Sequence, residues 1–107
     1  MIYYVKGFGI RQGQTKKFMQ WLKEFDFSDL PPGILFHNCY VSWGDTAPFD
    51  AEIWFTIDSW EMCDFMRESS AMSRFLTEWS RYVDKAQAFR SWFFTTLEQG
   101  VVRESDW

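Results

Sequence analysis

Ile53, Phe55 and Ile57 alternate with Glu52, Trp54 and Thr56, the period-two pattern of a strand with one buried face, and Asp58 ends the run. Asp58-Ser59-Trp60-Glu61 then reads as an N-cap followed three residues later by a glutamate that reaches back to the cap's own amide, which predicts a helix start. From Met62 the apolar positions Phe65, Met66, Met72, Phe75, Leu76, Trp79 and Val83 recur at helical spacing, interrupted only by small Ser69 and Ser73. The pattern predicts one long helix reaching Val83, with its apolar stripe laid on a sheet.

The rest of the chain supplies that sheet. A first strand is expected from Ile2 to Ile10, with Tyr3, Val5, Gly7 and Gly9 on one face and Tyr4, Lys6, Phe8 and Ile10 on the other. Gly7 and Gly9 leave room for close approach, by a packed element or by a ligand. After a turn at Arg11-Gln12-Gly13-Gln14, a helix from about Gln14 or Thr15 to Phe27 carries Phe18, Trp21, Leu22 and Phe25 on one side and Lys16, Lys17, Lys23 and Glu24 away from it. Leu30-Pro31-Pro32-Gly33 cannot continue a helix and leads into a second strand, Ile34 to Trp43. Its more aliphatic set, Leu35, His37, Cys39, Val41 and Trp43, is assigned to the helix side; Ile34, Phe36, Asn38, Tyr40 and Ser42 go to the opposite face. Gly44 to Asp50 reads as a hairpin loop. A fourth strand is expected from Ala88 to Leu97, and the tail from Glu98 to Trp107 either docks or frays. The order βαββαβ predicts an α+β, ferredoxin-like domain over residues 1–107, its two helices on one face of a four-stranded antiparallel sheet.

Composition changes this picture in one respect. The 107 residues include 7 Trp, 4 Tyr and 12 Phe, more aromatic area than one small two-layer core consumes. Phe36, Tyr40, Trp54, Trp92 and Tyr3 or Tyr4 fall on the face away from the helices, where exposure would leave a sticky apolar patch. A second copy of the sheet around a two-fold axis would cover it, so a homodimer is predicted. The formal net charge of -4 argues against nucleic acid as a partner. The absence of a signal peptide or long apolar run argues against a membrane and for a cytoplasmic location, with Cys39 and Cys63 as buried thiols. One histidine and no clustered cysteines predict no metal site.

The strand Ile2-Tyr3-Tyr4-Val5 running through Phe8 to the Gly13 turn, together with Ser59-Trp60-Glu61, Phe65, Ser69 and Phe75, resembles the dimeric α/β-barrel superfamily, nearest its antibiotic-biosynthesis-monooxygenase-like branch. The resemblance implies a barrel dimer with an apolar cavity between sheet and helices. Its members range from cofactor-free monooxygenases and isomerases to haem-degrading enzymes and stress-response proteins. The chain departs from the family where Ser69-Ser70-Ala71-Met72-Ser73 lacks a histidine. Lys6 or Gly7, Met66 and Phe75 stand where haem-degrading relatives carry Asn, Trp and His, so no cofactor is expected.

The candidate chemistry is a set of polar groups among aromatic rings. Lys6, Asn38, Tyr40 and Arg90 are expected beside Trp54 and Trp92, a site suited to a small hydrophobic or aromatic, partly anionic ligand. His37, the side chain that titrates nearest neutrality, and Arg90 are the catalytic candidates. In a structural reading Arg90 pairs with Glu52 across the sheet and Tyr40 packs a dimer. Two functions are carried forward: a small-molecule-binding or stress-response-type protein, and a cofactor-independent monooxygenase or isomerase acting on an aromatic or polyketide-like substrate.

Overall fold

The computed structural model describes residues 2–42, 49–87 and 89–95. Its four strands are β1 (Ile2–Phe8), β2 (Ile34–Val41), β3 (Ala51–Ile57) and β4 (Arg90–Thr95); its helices are α1 (Thr15–Glu24), α2 (Met62–Glu68) and α3 (Ser70–Trp79). The sheet is antiparallel throughout, in the order β2-β3-β1-β4, which is the ferredoxin-like arrangement. The predicted α+β fold is therefore present. The hairpin loop expected from Gly44, the fourth strand's outer residues Ala88, Thr96 and Leu97, and the tail from Glu98 lie largely or wholly outside the described residues.

The core forms where the alternation is strictest. Ala51, Ile53, Phe55 and Ile57 of β3 are all fully buried, and with Phe8 of β1 they meet Phe18 of α1 and Phe75 and Trp79 of α3. Edge-to-face rings dominate this layer; Phe8 sits 5.5 Å from Phe18 and 5.2 Å from Trp79. Lys16, Lys17, Lys23 and Glu24 of α1 are exposed, as the spacing predicts. Gly33, at φ 90°, closes the turn after Pro31-Pro32 and hands the chain to β2 in a conformation that disfavours any Cβ.

Three expectations are corrected. The predicted long helix is two helices, because Ser69 is extended (φ −67°, ψ 128°) and its hydroxyl accepts the Met72 N–H at 3.3 Å, capping α3. Met66 and Met72 are both buried, yet six residues are about 1.7 turns of helix, so an unbroken helix would place them on different sides. The break lets both reach the core, while Phe65 is left 56% exposed. The predicted cap at Asp58 is not used: a turn through Ser59–Glu61 intervenes and Glu61 precedes α2 without a side-chain cap.

The third correction concerns β2. A bulge between Phe36 and Asn38 inserts His37, and each predicted face set is half right as a result. Ile34 and Phe36 pair with Ile57 and Phe55 on the helix side; beyond the bulge Cys39 and Val41, paired with Ile53 and Ala51, take that side instead. Leu35 and Tyr40 pair with Thr56 and Glu52 on the open face.

Candidate functional site

The open face of the sheet gathers most of the predicted residues. Tyr3, at the centre, stacks on Phe94 at 5.1 Å and meets Trp54 and His37 edge-on at 5.6 Å each; Trp54 meets Tyr40 at 5.4 Å. Trp92 stacks on Phe49 at 6.0 Å. Phe49 itself lies flat against Gly7, where an added Cβ would come within 2.5 Å of its ring. The room left by Gly7 is thus filled by this chain's own phenylalanine. Arg90 and Glu52 are Gly7's register partners on its two sides. No ion pair joins them among the described residues; Glu52 instead accepts the Trp54 indole N–H at 3.3 Å. His37 is exposed at the bulge. Asn38, opposite Trp54 in register, spends its amide oxygen on its neighbour's Cys39 N–H at 2.8 Å. The face is an aromatic plate with few polar groups aimed at one point.

Lys6 is not on that plate, which corrects its predicted placement beside Trp54 and Trp92. Its position in β1 shares the parity of Tyr4 and Phe8, so it enters the layer between sheet and helices, where it is 8% exposed. The ammonium donates to Ser91 Oγ at 3.0 Å and lies 4.8 Å from the Trp79 ring centre and 5.1 Å from that of Phe89. Burying a charge is unfavourable unless it is paired, and no carboxylate pairs with Lys6 among the described residues. The ring faces offset part of that cost. The same indole holds a second anomaly: Trp79 Nε1 is buried without a hydrogen-bond acceptor.

Two grooves open near this point, one around Phe89 just before β4 and one along the helix side of β4 itself. One, of about 740 Å³, is walled by Trp79, Val83, Lys85, Gln87 and Phe89. The other, of about 530 Å³, lies between β4 and the helices and is lined by Tyr4, Met66, Arg67, Met72, Ser91 and Phe93 among others. Each carries a cation, and no aspartate or glutamate lines either among the described residues. Ser91 Oγ accepts a hydrogen bond from the Lys6 ammonium and keeps its own O–H to donate. The Lys6 ammonium and the Ser91 hydroxyl thus stand together behind apolar groove walls, beside the buried Trp79 indole, a donor-rich setting for an anion with flat or aliphatic arms.

Ser91, Trp79, Phe89 and Phe93 are not among the site residues expected from the sequence. Parity was the available signal: Ser91 breaks a run of aromatic residues at Phe89 and Phe93, and antiparallel pairing sets it opposite Lys6. Cys39 supplies no nucleophile here. Burial pushes the Cys39 thiol up to about 12, and it is half-buried rather than sealed, as is Cys63. No cluster of metal-ligating side chains occurs among the described residues.

No family model and no curated protein matches the chain. Solved structures share its fold over nearly its whole length. HapK from Hahella chejuensis is 16% identical, with a TM-score of 0.72 over 96% of this chain and 99% of that one. An uncharacterised NIPSNAP domain protein from Burkholderia xenovorans is 13% identical, with a TM-score of 0.67 over 97% and 100%. An antibiotic biosynthesis monooxygenase candidate from Chloroflexus aurantiacus is 17% identical, with a TM-score of 0.54 over 92% and 97%. At such identities the likeness is one of architecture: the chain has the ferredoxin-like α/β fold that NIPSNAP and antibiotic-biosynthesis-monooxygenase-like structures share.

Proposed function

We propose that this protein is a homodimeric α/β-barrel that binds a small, flat, apolar anion in the cleft beneath β4. The observation that carries the reading is Lys6: a buried ammonium facing two rings and a serine hydroxyl, beside an indole N–H that has no acceptor and with no acid to neutralise it among the described residues. An arriving carboxylate, phenolate or enolate oxygen supplies the missing negative charge. A charge-assisted hydrogen bond of this kind contributes about 1.5–3 kcal/mol, or roughly 10- to 100-fold in affinity. Turnover of an aromatic or polyketide-like substrate would require a base at this cleft, and within one subunit His37 stands on the opposite face of the sheet. Binding is therefore the better-supported function.

The dimer rests on the open face. Leu35 is 68% exposed and Tyr40 45% exposed there, beside the half-buried Tyr3, Trp54 and Phe94. Glu52 and Arg90 flanking Gly7 give that plate charges of both signs, which suits a self-complementary contact. The two free cysteines and the absence of any membrane-length apolar helix among the described residues support a cytoplasmic location.

Native mass spectrometry of purified protein tests both parts. The expected species is two subunits carrying up to two small molecules, detectable in negative-ion mode after denaturation. Titration with 1-naphthoate and its neutral amide, 1-naphthamide, isolates the charge: wild type prefers the acid, and Lys6→Met loses the preference. Equal affinity for both compounds in wild type would refute the anion site. Sedimentation showing a monomer at micromolar concentration would refute the dimer. Leu35→Glu is expected to split the dimer while leaving each subunit folded.

A further inference from the structure

We infer that the two grooves along β4 are halves of one site, built for an elongated ligand whose charged atom lies mid-length rather than at an end. This deepens the anion reading of Lys6 and rests on it. The grooves share no lining residue, yet Lys6 touches a wall of each. Its ammonium lies over Trp79 and Phe89, which wall the larger groove, and donates to Ser91 of the smaller one. The cation stands between a wall of one groove and a wall of the other.

The sequence of β4 dictates this layout. Phe89, Ser91 and Phe93 share one face at two-residue spacing, so two rings roughly 13 Å apart flank a single hydroxyl. Both rings are accessible: Phe89 is 57% exposed and Phe93 36% exposed, on the edge strand of the sheet. Phe93 leans on Tyr4 at 4.8 Å, Phe89 on Trp79 at 6.0 Å, so each marks a separate aromatic platform. A ligand with a terminal anion would fill one groove and leave the other to water. A ligand with a central anion and an apolar arm on each side satisfies Lys6 and Ser91 at the middle and buries an arm in each groove. The exposed Arg67 and Lys85 line the smaller and the larger groove respectively, each a cation for a polar group on such an arm.

Dibenzyl phosphate and benzyl methyl phosphate carry the same central monoanion and differ in having two aromatic arms or one. Calorimetric titration is expected to show dibenzyl phosphate binding at least about tenfold tighter. Phe89→Ala and Phe93→Ala, each verified as folded by thermal melting, are each expected to erase most of that advantage. Lys6→Met is expected to weaken both esters about equally. Equal affinity for the two esters, lost in Lys6→Met, would overturn the two-groove site and leave the anion reading standing. Loss of the advantage in only one phenylalanine variant would also overturn it, since one groove would then suffice. Affinities unchanged by Lys6→Met, or no binding of either ester, would overturn both readings.

Discussion

Lys6→Met separates a functional cation from a structural one, because the two roles predict stability changes of opposite sign. Methionine nearly matches the length of the lysine stem and lays a thioether over the same Trp79 and Phe89 rings. The substitution forfeits two cation–π contacts at about 1 kcal/mol each and one hydrogen bond to Ser91 of about 1.5 kcal/mol. Against this it removes the desolvation of a side chain that is 8% exposed and has no acidic partner among the described residues, a penalty of several kcal/mol. The forfeited contacts come to about 3.5 kcal/mol, so a desolvation penalty of about 4–5 kcal/mol favours the variant by about 1 kcal/mol, or roughly 4 °C in Tm for a domain of this size. Urea denaturation at fixed protein concentration is the assay, since the midpoint of any self-associating protein depends on concentration. The expected result is a higher midpoint with an unchanged slope. A variant destabilised by 1 kcal/mol or more would refute the reasoning: Lys6 would then be a cation that the fold requires, and its burial would say nothing of a ligand.

Three further outcomes follow from particular contacts. Gly7→Ala drives a methyl group to 2.5 Å from the Phe49 ring and is expected to destabilise by about 1–3 kcal/mol in urea, whereas Gly9→Ala meets the side chain of Gln87, which can swing aside, and costs less; equal effects would show that Phe49 is not seated on Gly7. Ser69→Ala removes the cap of α3 and is expected to cost about 1 kcal/mol in a thermal melt, with Ser69→Asp restoring most of it; a neutral alanine would indicate that the helix runs through this position. Cys39, whose thiol burial pushes up from 9.0 to about 12, stays protonated in the fold while the unfolded chain ionises, so stability falls as pH rises from about 9 toward 12. Cys39→Ala should flatten that alkaline slope, and a slope identical to wild type would assign it to other groups.

The strands were legible because their period is two and their burial one-sided. Ala51 to Ile57 alternates without exception, and nothing in its surroundings competes with that pattern. What misled the reading was parity, the property on which the site depends. A bulge costs one residue and leaves no mark in composition, so His37 exchanged the faces of β2 halfway along. Ser69 misled in the same way, as a small residue inside an apolar stripe reads equally as helix packing or as a cap. Lys6 shows the converse. Its parity placed it beside Tyr4 and Phe8 from the outset, but a lysine among core residues contradicts the expectation that charge stays in water, and it was assigned to the polar set instead. That conflict between local pattern and chemical type is the signal. A sequence that keeps a cation at a core position, and sets a serine rather than a third phenylalanine opposite it, places donors where packing alone would place none. Strand parity places Lys6 and Ser91 on one face, the β1–β4 register brings them together, and the pair lies on the opposite side of the sheet from the aromatic plate that composition brings to notice.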